Sequence, residues 1–512
     1  MSIAGVTEAA GTLLALKDQL PTLQVVVPLM GSIVCAVLSR GTWAWLVATI
    51  VSWSMPVIAL LLLWQVQDSG TISYKMGGWA PPWGIEYRID LLNGFVLFLV
   101  SAVSAVAIPF ARKSIAVEID SDKHSWFYAV YLLCLAGLLG MTITGDAFNI
   151  FVFMEVSSLA SYIMIALGRD RLSLLSAYQY LIMGTIGATF YVIGIGFLYT
   201  LTGTLNLVDI SARLTELKLA SEFSPPLLAA LAFIFVGISL KLALFPLHAW
   251  LPGAYAQAPS FVTVFLAATA TKMAVYVLIR FLFGVFPAGP IFDNLPVSEI
   301  LLALSIAAML GASLVACFQE DIKRLLAYSS VAQVGYITLG IALANEAGLT
   351  GGIVHLFNHA VTKAALFIAV GAVFYRIHSC KVDDFAGLGR KMPVTMGVFA
   401  LAGLSLIGTP GTAGFISKWH LAVGAFEQGW WWLVILIMLS SLLAVVYVGR
   451  VVEIVWFRKP IATIDEARTP PATMVVPMLV LAAAVVYFGF ETSMSSGYAG
   501  DAARLLLGRG TP

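Results

Sequence analysis

FIFVGISLKLALFPLHAWLPGAYAQAP, residues 233–259, is apolar enough to lie in a membrane, yet it contains Lys241, Pro246, His248 and Pro252. The prolines stop a helix that the flanking residues would otherwise continue, because proline lacks a backbone donor and clashes with the preceding turn. A helix broken at membrane depth frees backbone groups that only a polar cavity or neighbouring helices can satisfy. Working outward from this point, apolar runs of about 17 to 25 residues alternate with short charged or Pro/Gly-rich connections, and each run can cross ~30 Å of hydrocarbon as a helix.

The composition agrees. Of 512 residues, 60% are hydrophobic and 11% charged, with a mean hydropathy of +0.95; soluble domains carry about 25% charged residues. No stretch is left for a sizeable soluble domain. The fold class is an all-α polytopic membrane protein of about fourteen spans, near 22–38, 42–64, 90–111, 126–144, 146–167, 175–201, 227–250, 260–286, 298–318, 324–344, 351–376, 394–426, 429–457 and 473–491. Glu8, Lys17 and Asp18 surround an apolar piece too short to span, and no basic region precedes it, so no cleaved leader is expected. Connections after odd-numbered spans carry 15 Lys/Arg, against 8 in the even-numbered ones and the termini. Basic loops stay cytoplasmic, so both termini are expected on the non-cytoplasmic side of the cell (inner) membrane.

Four cysteines, Cys35, Cys134, Cys317 and Cys380, show no CxxC spacing, and no cofactor is expected. GTPGTAGF, residues 408–415, lacks the lysine of a phosphate-binding loop and lies in an apolar run.

Two pairs of segments resemble each other. EVSSLASYIMIAL from Glu155 matches AYSSVAQVGYITLGIAL from Ala327, and YQYLIMGTIGATFYVIGIGFLY (178–199) lies over VHLFNHAVTKAALFIAVGAVFY (354–375). The implied units are residues 126–286 and 298–457, preceded by the N-terminal helices of residues 1–125 and followed by a C-terminal helix and tail, residues 458–512. Five helices per unit invert the second copy. Inverted repeats with helices interrupted at corresponding places, here LFPLHAWLP in the seventh span and LIGTPGTAGF in the twelfth, mark transporters.

With Arg280, Arg324 and Arg376 near span ends counted among the connections, five basic residues remain inside or at the ends of spans: Lys241, Lys272, Lys363, Lys418 and Arg450. Glu155, nine residues past Asp146, sits about 13 Å deep. An intramembrane charge costs at least about 2.5 kcal/mol, so such groups pair, lose their charge or face water. Desolvation disfavours the ammonium and an adjacent carboxylate favours it, so moving Glu155 relative to a lysine would move a proton. His355, His359 and Lys363 share one helical face and can relay between lysines, with Ser239 and His248 extending the path near Lys241. The competing readings are structural lysines bonded to carbonyls, and a zinc site at the His-x-x-x-His pair, for which no third ligand is apparent. Arg450 and Glu453 are expected to form an anchoring ion pair. No sodium cage is recognisable, so any metal ligands are unknown.

The motifs LKLALFPLHAWLPGAYAQAP, TKMAVYVLIRF, EDIKRLLAYSSVAQVGY, HLFNHAVTKAALF and GTPGTAGFISKW resemble the antiporter-like membrane subunits shared by Mrp-type multisubunit cation/proton antiporters, respiratory complex I and membrane-bound hydrogenases. The resemblance implies fourteen helices with inverted five-helix repeats. It also implies a proton pathway in which Glu155 and Lys241 form the gating pair, Lys272 is the central lysine, His355, His359 and Lys363 are the relay, and Lys418 is the exit. FPLHAWLPGAYAQAPS and GFISKW look most like the D-type Mrp subunit, and Gly253 replaces the acid of a Trp-x-Pro-Asp variant common in complex I. Lys418 stands where some complex I subunits carry glutamate. The implied function is a proton-translocating subunit of a Na⁺ (monovalent cation)/H⁺ antiporter. Its partners would be other membrane subunits, protons, the cation and lipid, with no nucleic acid. The alternative is a proton-pumping membrane subunit of an NADH:quinone oxidoreductase or membrane-bound hydrogenase, with the redox chemistry in other chains.

Overall fold

The chain is helical almost throughout, its described residues supply thirteen to fourteen candidate crossings, and acidic or amide N-caps start many of the helices. The computed structural model describes residues 3–216, 224–460 and 469–509, and the side chains of 17–216, 224–460 and 469–509. Among these, thirteen helices are long and apolar enough to span a membrane, from Lys17–Val37 to Ala472–Phe490. Pro393–Ile407 and Ala413–Glu427, of 15 residues each, fall within the expected twelfth span, and a fourteenth candidate span is reached when Pro393–Ile407 is joined to Asp383–Lys391 across a 114° bend. The first helix extends back to Ile3, further than the sequence reading placed it. The side chains on which a leader would be judged lie mostly outside the described residues.

Asp90, Asp146, Asp170, Asp321 and Asn345 each accept a backbone N–H of the first turn that follows them. Such caps satisfy donors that a helix start leaves free. Two of them belong to a repeated device. Asp146 bridges Asn206, and Asp321 bridges Lys381. Ala147 N donates to Leu205 O and Leu207 N to Gly145 O, while Ile322 N donates to Cys380 O and Val382 N to Glu320 O. Every member of the second set lies 175 positions beyond its counterpart (146 to 321, 206 to 381). The helices that follow, Arg171–Thr202 and Glu346–Ile377, each have 32 residues. Asp321→Ala is expected to destabilise the purified protein by about 1 kcal/mol, read as a lower thermal unfolding temperature in detergent; an unchanged temperature would deny the cap its role.

The interrupted spans end alike. In the seventh, Pro225–Leu242 stops at Ala243 in the left-handed region (φ 59°), and Leu244 N reaches back to Ser239 O. In the twelfth, Pro393–Ile407 stops at Gly408 (φ 90°), and Thr409 N reaches back to Leu404 O. Both are Schellman closures. The seventh span then resumes as Trp250–Gln257. The eighth, Ser260–Val285, is also interrupted, at Thr269 (φ −122°, ψ −57°), which the sequence reading did not anticipate. No proline or glycine marks that site.

The eighth and tenth spans are 94% buried, whereas the thirteenth and fourteenth are 33% buried. The former therefore line the interior, and the latter face outward. A hairpin pairing Ile72–Lys75 with Glu86–Ile89 joins the second and third spans. The expected Arg450–Glu453 pair is absent among the described residues. Arg450 instead donates to the carbonyls of Cys317 and Gln319, which the end of the ninth span leaves free, and Glu453 pairs with Arg458.

Candidate functional site

The helix breaks decide where the lysines go. Lys241 lies in the last turn before Ala243 and reaches the fifth span, where its Nζ is 2.9 Å from Glu155 Oε1 and 2.9 Å from Ser158 Oγ. The lysine side chain is 5% exposed and the glutamate 21%. Desolvating two opposite charges is repaid only when they stay in contact, so this pair is sensitive to small displacements. Trp250 Nε1 donates to the Leu240 carbonyl at the same break.

Lys272 follows the break at Thr269, which frees the Ala267 carbonyl that its Nζ contacts; Thr271 Oγ1 lies at 3.4 Å. No carboxylate pairs with it among the described residues. A cavity of about 30 Å³, lined by Ser157, Ser158, Ser161, Lys241, Ala270 and Ala274, separates Lys241 from this part of the eighth span. Its size and hydroxyls suit a bridging water.

The second half is organised differently. Lys363 Nζ bonds the Leu326 carbonyl at 2.7 Å and contacts Ser329 Oγ. His355 lies between Ser417 Oγ (2.8 Å) and Gln333 Oε1 (2.9 Å). Its ring is 6.0 Å from that of His359 and nearly parallel to it. Neither nitrogen of His359 has a protein partner. His359 lies within electrostatic reach of Lys272, Lys363 and His355. Lys418 Nζ bonds the Leu406 and Ile407 carbonyls at 3.1 and 2.8 Å and Ser441 Oγ at 2.8 Å, 4.5 Å above the Tyr336 ring. It thus caps the first piece of the twelfth span, where the helix dipole favours a cation.

Lys241, Lys272, His359, Lys363, His355 and Lys418 are all buried. His248 is not among them: the ring stacks on Phe245 at 5.1 Å, and its Nδ1 has no protein partner. Ser239 Oγ is likewise without one. Sequence reasoning missed Gln333, Tyr336 and Ser417, which surround His355. It noted the Ser-Ser pairs of the fifth and tenth spans only as marks of the repeat, yet Ser158 and Ser329 each contact a buried lysine. Among the described residues no three His, Cys, Asp or Glu side chains converge to hold a metal ion.

The family model described as NADH:quinone oxidoreductase/Mrp antiporter, TM, matches residues 144–444. The chain belongs to that family. It is 41% identical over 486 residues to NADH-quinone oxidoreductase subunit N of Desulforudis audaxviator, covering 92% of this chain and 95% of the relative. It is 29% identical over 437 residues to the D-type subunit of the Na⁺/H⁺ antiporter of Alkalihalophilus pseudofirmus, covering 85% and 86%. A chain of the Mrp complex from Dietzia sp. DQ12-45-1b superposes with a TM-score of 0.87 at 25% identity, covering 96% and 98%. The family thus includes both branches weighed from the sequence. The higher identity to an oxidoreductase subunit means that the antiporter branch is not favoured, and neither Gly253 nor Lys418 outweighs it.

Proposed function

We propose that this chain is a proton-translocating membrane subunit of a multisubunit complex, in which redox chemistry in partner chains drives protons along its buried titratable groups. The observation that carries the proposal is the Glu155–Lys241 pair, continued by Lys272, the His359/Lys363 group, His355 and Lys418. Opening the pair leaves Lys241 favoured to give up its proton, because burial disfavours the lone ammonium. The proton then passes by way of the small hydroxyl-lined cavity toward Lys272 and the imidazoles. Lysines held by carbonyls accept and release protons without a permanent counter-charge, which suits a relay.

The redox reading is supported by the 41% identity to an oxidoreductase subunit. The second reading, exchange of protons for Na⁺ or another monovalent cation, is supported by the D-type antiporter relative and the superposition on the Mrp complex. Both readings require other membrane subunits beside this chain. The distribution of basic loops supports termini on the non-cytoplasmic side of the cell membrane, and residues 126–286 and 298–457 serve as the two proton-conducting halves.

The deciding experiment is to purify the complex, identify its subunits and reconstitute it. Proton uptake driven by an electron donor and quinone is expected, falling about tenfold or more in Lys272→Ala. Uptake driven only by a Na⁺ gradient would select the antiporter branch. Undiminished uptake in Lys272→Ala would remove the relay.

A further inference from the structure

Arg280 plays no part in the path above, and the sequence reading did not single it out. It lies eight residues beyond Lys272 on the eighth span, with Tyr276 between them at i+4, so the three share one face of the helix. Arg280 makes a bidentate pair with Asp90, at 2.6 and 2.9 Å. Its Nε donates to Tyr276 Oη at 3.3 Å, and the guanidinium lies 5.4 Å from the centre of that ring. Tyr276 Oη in turn donates to the Thr142 carbonyl at 2.9 Å, and Thr142 Oγ1 donates to Met273 Sδ at 3.0 Å. Tyr276 is 2% exposed.

Outside this layer is a cavity of about 850 Å³, lined in part by Asp68, Asp90, Arg280, Phe283, Asp501 and Arg504. It lies on the face where the second and eighth spans end and the third begins, where the C-terminal helix Tyr498–Leu506 also packs. Inward from Arg280, at 1.5 Å per residue, Lys272 is only about 12 Å away along the helix. An aqueous cavity so close to the central lysine, on the side opposite the basic loops, would short-circuit the path unless something bars protons there.

We propose that Arg280 is that bar: a fixed positive charge that keeps protons and cations in the outer cavity from reaching Lys272. The inference rests on the proton-translocating reading given above. A guanidinium stays charged at any physiological pH, and an arginine in a constriction raises the barrier to protons and cations. Asp90 holds it in place. That carboxylate is itself engaged by Asn93 N at 3.1 Å as the N-cap of the third span, where the helix start carries partial positive charge. The Asp90–Arg280 pair therefore does not cancel the barrier as a free pair would. Tyr276, Thr142 and Met273 close the space behind it.

The charge-barrier role and a purely structural brace predict different mutants. A brace fails when either partner is lost, whereas a positive barrier fails only when the arginine charge is lost. The complete purified complex is reconstituted in liposomes with a trapped pH dye. Passive proton entry is followed under a valinomycin–K⁺ diffusion potential, without electron donor or exchangeable cation. Arg280→Gln is expected to raise passive entry about tenfold or more, as expected for removal of a focused charge. Arg280→Lys and Asp90→Asn are expected to stay within about twofold of the parent, since the positive charge remains and asparagine still caps the helix. The double variant Asp90→Asn/Arg280→Gln, in which amide can bond amide, should leak like Arg280→Gln and carries the test if the single variant does not assemble. Tight vesicles without the arginine charge, or an Asp90→Asn leak equal to that of Arg280→Gln, overturn the proposal. If those vesicles are tight while Lys272→Ala abolishes driven uptake, only the barrier falls and the proton-translocating reading stands.

Discussion

Lys241→Ala is expected to lower driven proton uptake by the reconstituted complex by about a hundredfold, the usual effect of removing a positioned proton-transfer group. The same substitution leaves Glu155 without the ammonium now 2.9 Å away. Breaking one side of a buried pair costs about 3–5 kcal/mol, so loss of flux alone could reflect loss of structure. The double variant Lys241→Met/Glu155→Gln separates the two effects. It removes both charges at similar volume and is expected to recover most of the unfolding temperature lost in Lys241→Ala, while proton uptake stays near background. A double variant that regained both stability and uptake would show that the pair is a brace and lies off the proton path.

Gly414→Ala is expected to be the most damaging single methyl in the second repeat. A Cβ there would lie 1.8 Å from the Ser405 carbonyl oxygen. That oxygen is backbone and cannot rotate away. Gly414 itself is held in place, because its N donates to Ser405 Oγ at 3.1 Å, and that hydroxyl is 3.0 Å from Thr362 Oγ1 on the eleventh span. The two pieces of the twelfth span would have to separate, carrying Lys418 away from the Leu406 and Ile407 carbonyls. Overpacking of this kind costs about 1–3 kcal/mol. The expected result is a lower yield of assembled complex and an unfolding temperature several degrees below the parent, with Gly497→Ala, which meets nothing within 4 Å, as the control. Equal behaviour of the two variants would contradict the close approach.

Much of the fold was legible because hydropathy and proline act locally. The lengths of the apolar runs located the spans to within a few residues at many boundaries, and Pro246 and the glycines of LIGTPGTAGF marked two of the breaks. The break at Thr269 was not legible. Its residues include no proline or glycine, and the carbonyl that the interruption frees at Ala267 is taken up by Lys272. Likewise, Arg450 and Glu453 stand at a spacing that permits an ion pair, but the free carbonyls at Cys317 and Gln319 capture the arginine first.

The candidate site divides the same way. Composition and depth alone marked Glu155, Lys241, Lys272, Lys363 and Lys418, because a charge inside an apolar run is expensive wherever the helix later packs. The sequence could also place His355, His359 and Lys363 on one face, since helical periodicity is a property of the chain itself. Which lysine meets the carboxylate, which rests on carbonyls, and which imidazole is held by Gln333 and Ser417 depend on contacts between residues up to 86 positions apart, as for Lys241 and Glu155. Such partners are chosen by how the repeats pack. The sequence by itself determined that this is a polytopic membrane protein with titratable groups buried along it. Only the tertiary structure decided which partner each of them meets, because helix breaks aim side chains and free carbonyls across the interior in directions that no local pattern encodes.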